Sequence, residues 1–108
     1  MDTRRILGDA IVSVQGDVDL TTCDAVESAL DAAPRVGATV LVLDLREVGF
    51  MDTSGLRLVI SQQQRAELDG YRFVVVPGSA RIQRLFEIAG FRGGDPLFAD
   101  PPPEPIGG

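Results

Sequence analysis

The alternation of apolar runs and helical patterns in this chain predicts an α/β fold: a mixed, mostly parallel sheet of four to five strands with helices packed on it. Two observations carry that expectation. The runs TVLVLDL (39–45) and YRFVVVPG (71–78) are nearly continuous in apolar residues, as in strands buried on both faces of a sheet. Segments with apolar residues at i, i+3, i+4 and i+7 lie before, between and after them, the pattern of helices that return over a parallel sheet by right-handed crossovers.

Taken in order, a short strand is expected around residues 4–7. Gly8-Asp9 would turn it into AIVSVQG (10–16), whose β-branched residues and closing glycine favour a second strand. In TTCDAVESALDAA, Val26, Ala29, Leu30 and Ala33 share one helix face, Thr21 and Asp24 have the spacing of a capping pair, and Pro34 and Gly37 stop the helix. After the 39–45 strand, SGLRLVISQQQRAELDG reads as a helix that turns Leu56, Val59 and Ile60 inward, exposes its Gln and Arg residues, and closes at Asp69-Gly70. After the 71–78 strand, Ser79 is a helix cap, Ile82, Leu85, Phe86 and Ala89 form the inner face, and Gly90 ends it. The tail GGDPLFADPPPEPIGG permits only a short strand at 96–99. One domain over 1–99 with a flexible Pro/Gly-rich tail over 100–108 is the expected organisation.

Ten Arg and no Lys against sixteen acidic residues give a net charge of −6, which disfavours nucleic acid and anionic membrane surfaces and favours a basic partner. With no His, neither a Ser-His-Asp nor a Cys-His arrangement nor an imidazole-based zinc site can be built. With no Lys there is no Walker P-loop and no kinase site, and no G-x-G-x-x-G opens a helix, so no cofactor is expected. Asp44 near a strand end has the position of a receiver phosphoacceptor, but a receiver also needs an acidic pair after its first strand and a late lysine. Asp17 and Asp19 have calcium-loop spacing, yet Thr22 stands where that loop needs glycine and Ser28 where it needs Glu. The lone Cys23 reads as a small residue near a helix start. With no basic, apolar leader and no membrane-length apolar run, a cytoplasmic location is expected.

In a parallel sheet, the loops that leave the carboxyl ends of the strands converge on one edge. GDVDLTT, REVGFMDTSG and PGS (77–79) are three such loops, expected to form one surface. In the second, Asp52, Thr53 and Ser54 are each able to cap a helix. One is enough, and the other polar side chains are in excess beside an apolar Phe50-Met51 pair.

The stretch VLVLDLREVGFMDTSGLRLV resembles the signature of STAS domains of the anti-sigma factor antagonist type, an apolar strand running into an Asp-Ser/Thr-Ser-Gly-Leu loop. GDVDLTT is similar to that family's Gly-acid-Leu/Val-Asp loop, and YRFVVVPGSARIQRLFEIAGF to its later strand and helix, so the resemblance covers roughly residues 9–92. It implies a STAS-like fold and a protein that is a substrate and binder rather than an enzyme. Ser54 would be phosphorylated by an anti-sigma factor with serine-kinase activity, Thr53 being the second candidate, and a phosphatase would reverse the mark. It further implies partner contacts from Asp17, Asp19, Leu20, Thr21, Met51, Asp52, Thr53, Gly55 and Leu56. Asp52 would orient the Ser54 hydroxyl or shape the loop, and Gly55 would keep the backbone accessible.

Relatives carry a last helix where this chain has FADPPPEPIGG, and the first strand is short. A constitutive scaffold subunit of a sensory or lipid-transport complex is the alternative of a different class. Binding of a nucleotide or small anion at the helix N-termini is a third, which the acidic surroundings oppose.

Overall fold

The computed structural model describes residues 1–6, 8–33 and 40–101. Strands β1 (Asp2–Ile6), β2 (Asp9–Val18), β3 (Val40–Met51) and β4 (Arg72–Val76) alternate with helices α1 (Cys23–Ala32), α2 (Thr53–Asp69) and α3 (Ala80–Ile88) as expected. The sheet order is β1-β2-β3-β4, antiparallel between the first two and parallel thereafter. Ile6 pairs with Asp9, so Asp9 belongs to the strand and not to the hairpin turn. The expected strand at 96–99 reduces to one parallel bridge at Phe98, held because Val75 N–H donates to the Leu97 carbonyl and Ala99 N–H to that of Val75. Leu7, Thr39, the helix stop at Pro34 and Gly37, and the tail from residue 102 lie outside the described residues. Among the described residues no helix is long and apolar enough to cross a membrane.

All three helices lie on one face of the sheet. Val26 and Leu30 of α1, Leu56, Val59 and Ala66 of α2, and Ile82 and Phe86 of α3 share a core with Ala10, Val12, Leu41, Leu43, Phe73 and Val75. Alternate strand residues Ile11, Val42, Val74 and Val76 form a second, smaller cluster on the opposite face, packed with Ile6, Val40 and Ala99. That double burial explains the unbroken apolar runs of β3 and β4.

Two inward assignments and one outward assignment change. Ile60 is exposed while Gln62 is 1% exposed, because the buried stripe of α2 runs through Gly55, Leu56, Val59, Gln62 and Ala66. The Gln62 amide donates to Asp31 of α1, whose carboxylate also pairs with Arg65. Ala89 is exposed, since α3 ends before it completes another turn.

The strands differ in length, and this places the site. Asp2 of β1 pairs with Ser13, and Val76 at the end of β4 pairs with Asp44. Beyond these points β2 and β3 continue alone as a parallel ribbon to the pair Val18 and Met51. Two register shifts each insert one extra residue of β3, which adds twist to the ribbon. Asp44 clasps the first: its carboxylate accepts from Arg46 N–H at 3.0 Å and from the Arg46 guanidinium at 2.8 Å. Burial alone would raise the Asp44 pKa. The hydrogen bonds from Arg46 and the charges of Arg46 and Arg4 outweigh it, so the carboxyl is held below the ordinary range.

Candidate functional site

The ribbon tip carries two of the three loops that the sequence brings together. The third does not reach it. A Cβ on Gly78 would stand 2.3 Å from the Leu45 carbonyl oxygen, so the Pro77–Ser79 turn lies against β3 six residues before Met51. At about 3.3 Å per residue that is roughly 15–20 Å short of the tip. Parallel strands of unequal length separate loops that equal strands would gather, and the candidate surface is therefore built from 17–22 and 50–54.

In the second loop Asp52 takes the cap. Its backbone is extended, its carboxylate accepts from Ser54 N–H at 2.8 Å, and its own N–H donates to the Val18 carbonyl, which ties the start of α2 to the end of β2. Thr53 and Ser54 occupy the first two helical positions. Thr53 is exposed and Ser54 half-buried, and neither hydroxyl makes a hydrogen bond among the described residues. The carboxylate of Asp52 thus binds the Ser54 backbone and leaves the Ser54 hydroxyl unengaged.

Gly55 also has a packing role. It is buried, and an added Cβ would lie 2.3 Å from Met51 Cγ, 2.7 Å from Met51 Sδ and 3.1 Å from Val18 Cγ1. Its missing side chain lets Met51 fold under the helix start. Met51 is 6% exposed and Leu56 is also in the core. Both were expected to contact a partner, but they support the loop from beneath. The apolar surface at the tip comes instead from Phe50, 43% exposed, and Leu20, 79% exposed. Strand alternation at the end of an apolar run was the signal available in the sequence, since only one of two consecutive residues, Phe50 or Met51, can face inward.

The first loop is knitted by its own side chains. The Asp19 carboxylate accepts from Thr21 N–H at 2.9 Å and from the Thr21 hydroxyl at 2.6 Å. The Thr22 hydroxyl accepts from Asp19 N–H at 3.0 Å and donates to the Asp17 carbonyl at 2.8 Å. Thr21 is therefore not the helix cap. Thr22 holds the Ncap position of α1 without a side-chain cap bond, and the sequence pattern gave no hint of its place at the centre of the loop. Asp17 and Thr21 are exposed, and Asp19 is partly covered. The Thr21 hydroxyl, then the Thr21 N–H, hold the Asp19 carboxyl below its usual value. Burial pushes the Cys23 thiol up, and the charges of Asp52 and Asp19 add to it, which puts both carboxylates within electrostatic reach of one side chain and leaves Cys23 a poor nucleophile.

The tip is thus a two-loop acidic surface with two exposed apolar side chains and two unengaged hydroxyls, set on the end of the β2–β3 ribbon. A family model described as Mlab, STAS domain matches residues 1–98. The anti-sigma-B factor antagonist of Staphylococcus aureus is 30% identical over 81 residues, 75% of each chain. The crystal structure of an anti-sigma factor antagonist from Mycobacterium paratuberculosis is 28% identical and superposes with a TM-score of 0.71 over 82% of this chain and 74% of that one. The anti-sigma factor antagonist SpoIIAA in its unphosphorylated form shares the fold, with a TM-score of 0.70 at 17% identity over 94% and 87% of the two chains. A sulfate transporter family protein from Wolinella succinogenes and the SulP transporter STAS domain from Vibrio cholerae share it too, with TM-scores of 0.70 and 0.63 at 22% and 17% identity. The chain belongs to the STAS-domain family, in its anti-sigma factor antagonist branch.

Proposed function

We propose that this protein acts as an anti-sigma factor antagonist through a phosphorylation switch. Unmodified, it binds an anti-sigma factor that has serine-kinase activity and so frees a sigma factor; a phosphate on Ser54 ends the binding until a phosphatase removes it. The observation that supports this reading most directly is the unengaged Ser54 hydroxyl at the second position of α2, beside a cap that Asp52 alone provides. A phosphate there replaces no existing hydrogen bond of the hydroxyl, and the positive end of the α2 dipole favours an anion, so the domain need not refold. The same group brings a charge of about −1.5 to −2 onto a surface already lined by Asp17, Asp19 and Asp52, where it opposes burial against a partner.

Incubation with a cognate kinase and ATP is expected to add one phosphate, which peptide mass spectrometry places on Ser54, and Ser54→Ala is expected to abolish it. A phosphate on Thr53, or none, overturns the assignment. In the partner-binding assay, Ser54→Asp is expected to weaken capture of the anti-sigma factor. Unchanged capture would favour a constitutive scaffold role.

A further inference from the structure

A second surface lies away from the tip, along the outer edge of α3. Three phenylalanines organise it. Phe86 is fully buried and meets Phe91 and Phe98 edge to face, with ring centres 6.0 and 5.3 Å apart. Phe91 is fixed by its N–H bond to the Phe86 carbonyl, and Phe98 by its N–H bond to that of Asp95 and by the bridge to β4. Both rings remain half-buried and form part of the wall of a groove of about 410 Å³, with Pro77 and Pro96 beside them and Glu87, Asp95 and Asp100 around them. One Asp95 oxygen is taken by Leu97 N–H, whereas Glu87 and Asp100 form no ion pair among the described residues.

Charge distinguishes this groove from the other cavities described. The cavity at Asp44 and Glu47 contains Arg4 and Arg46, the groove over Ile11 and Val42 contains Arg72, and the shallow one on α3 contains Arg81 and Arg84. The Phe91–Phe98 groove has carboxylates and no lining cation. Glu87 also borders the shallow cavity with Arg81 and Arg84, and Asp100 the groove with Arg72, but neither is ion-paired among the described residues. Aromatic walls with carboxylates that no ion pair engages suit a guanidinium, which is planar, weakly hydrated and able to lie on a ring while it donates to carboxylates.

We propose that the Phe91–Phe98 groove receives an arginine side chain from a basic segment of another protein, with its guanidinium against the two rings and bonded to Glu87 and Asp100. Because Pro77 lies well short of the ribbon tip, this contact is separate from the Ser54 surface and does not depend on phosphorylation.

The test is an NMR titration of the full chain with a capped pentapeptide that has one central arginine between alanines. Saturable amide shifts are expected at Glu87, Phe91, Phe98 and Ala99, and are expected to vanish when citrulline, a neutral isostere, replaces the arginine. Glu87→Gln combined with Asp100→Asn alters two exposed side chains and is expected to lower the affinity about tenfold with the fold unchanged by circular dichroism. The proposal is overturned by shifts centred on residues 17–24, by equal shifts with the citrulline peptide, by unchanged affinity in the double variant, or by no saturable shift.

Discussion

The helix starts of α1 and α2 lie side by side at the ribbon tip and solve the same problem in opposite ways. At α1 the hydroxyls of Thr21 and Thr22 are both consumed in holding the loop, and Thr22 caps nothing with its side chain. At α2 a single carboxylate, Asp52, does the capping, a glycine does the packing, and the two hydroxyls between them hold nothing. A residue that holds no structural bond can be chemically altered without unfolding its surroundings. The loop at α1 is held by its own side chains, and the loop at α2 leaves two hydroxyls unengaged among the described residues.

The strongest way to break this contrast is to remove the packing that lets Asp52 act alone. Gly55→Ala sets a methyl within 2.3 Å of Met51 Cγ, mid-chain in a buried side chain, and Val18 closes the other side. Overpacking of this kind costs about 1–3 kcal/mol, to be read from the urea midpoint. Loss of partner binding in this variant without loss of stability would show that Gly55 acts by access after all.

A smaller effect separates the two loops directly. Asp52→Ala is expected to cost about 1 kcal/mol while Asp52→Asn costs little, because Asn also caps. Thr22→Val removes an acceptor for Asp19 N–H and a donor to the Asp17 carbonyl and is expected to cost about 1–2 kcal/mol. Thr53→Val and Ser54→Ala, by contrast, are expected to leave the denaturation midpoint nearly unchanged. A Ser54→Ala loss as large as that of Thr22→Val would erase the distinction between the loops.

The fold was legible because its signals are local: period and capping for α2 and α3, and unbroken apolar runs for β3 and β4. The errors arise where geometry depends on distant pairing. Ile60 and Gln62 exchange places because Gln62 finds Asp31 on another helix, a partner that helical periodicity does not encode. The Pro77–Ser79 turn falls short of the site because β4 has five residues and β3 twelve, and strand length in a sheet is set by which neighbours pair. At the site, the identity of the loop could be read from its residues. The choice of Asp52 over Thr53 and Ser54 as cap could not, because all three side chains are competent and only the backbone's entry angle decides.

The smallest effect tests the first loop without changing its sequence. With its carboxyl held low by the Thr21 hydroxyl and then by the Thr21 N–H, Asp19 titrates below the ordinary value of 3.8 in the folded state. A depressed carboxyl contributes stability that is complete above the unfolded value and is lost as the pH falls through the lower, folded one. The Thr21 amide resonance is therefore expected to hold its position as the pH is lowered to the ordinary carboxylate range and to move only below it. In Thr21→Val the side-chain donor is gone and the backbone donor remains, so the Asp19 midpoint is expected to rise but to stay below that of an unstructured aspartate. An unchanged midpoint in this variant would mean that the Thr21 hydroxyl is as unengaged in solution as that of Ser54, and the contrast between the two helix starts would fail at its most exposed point.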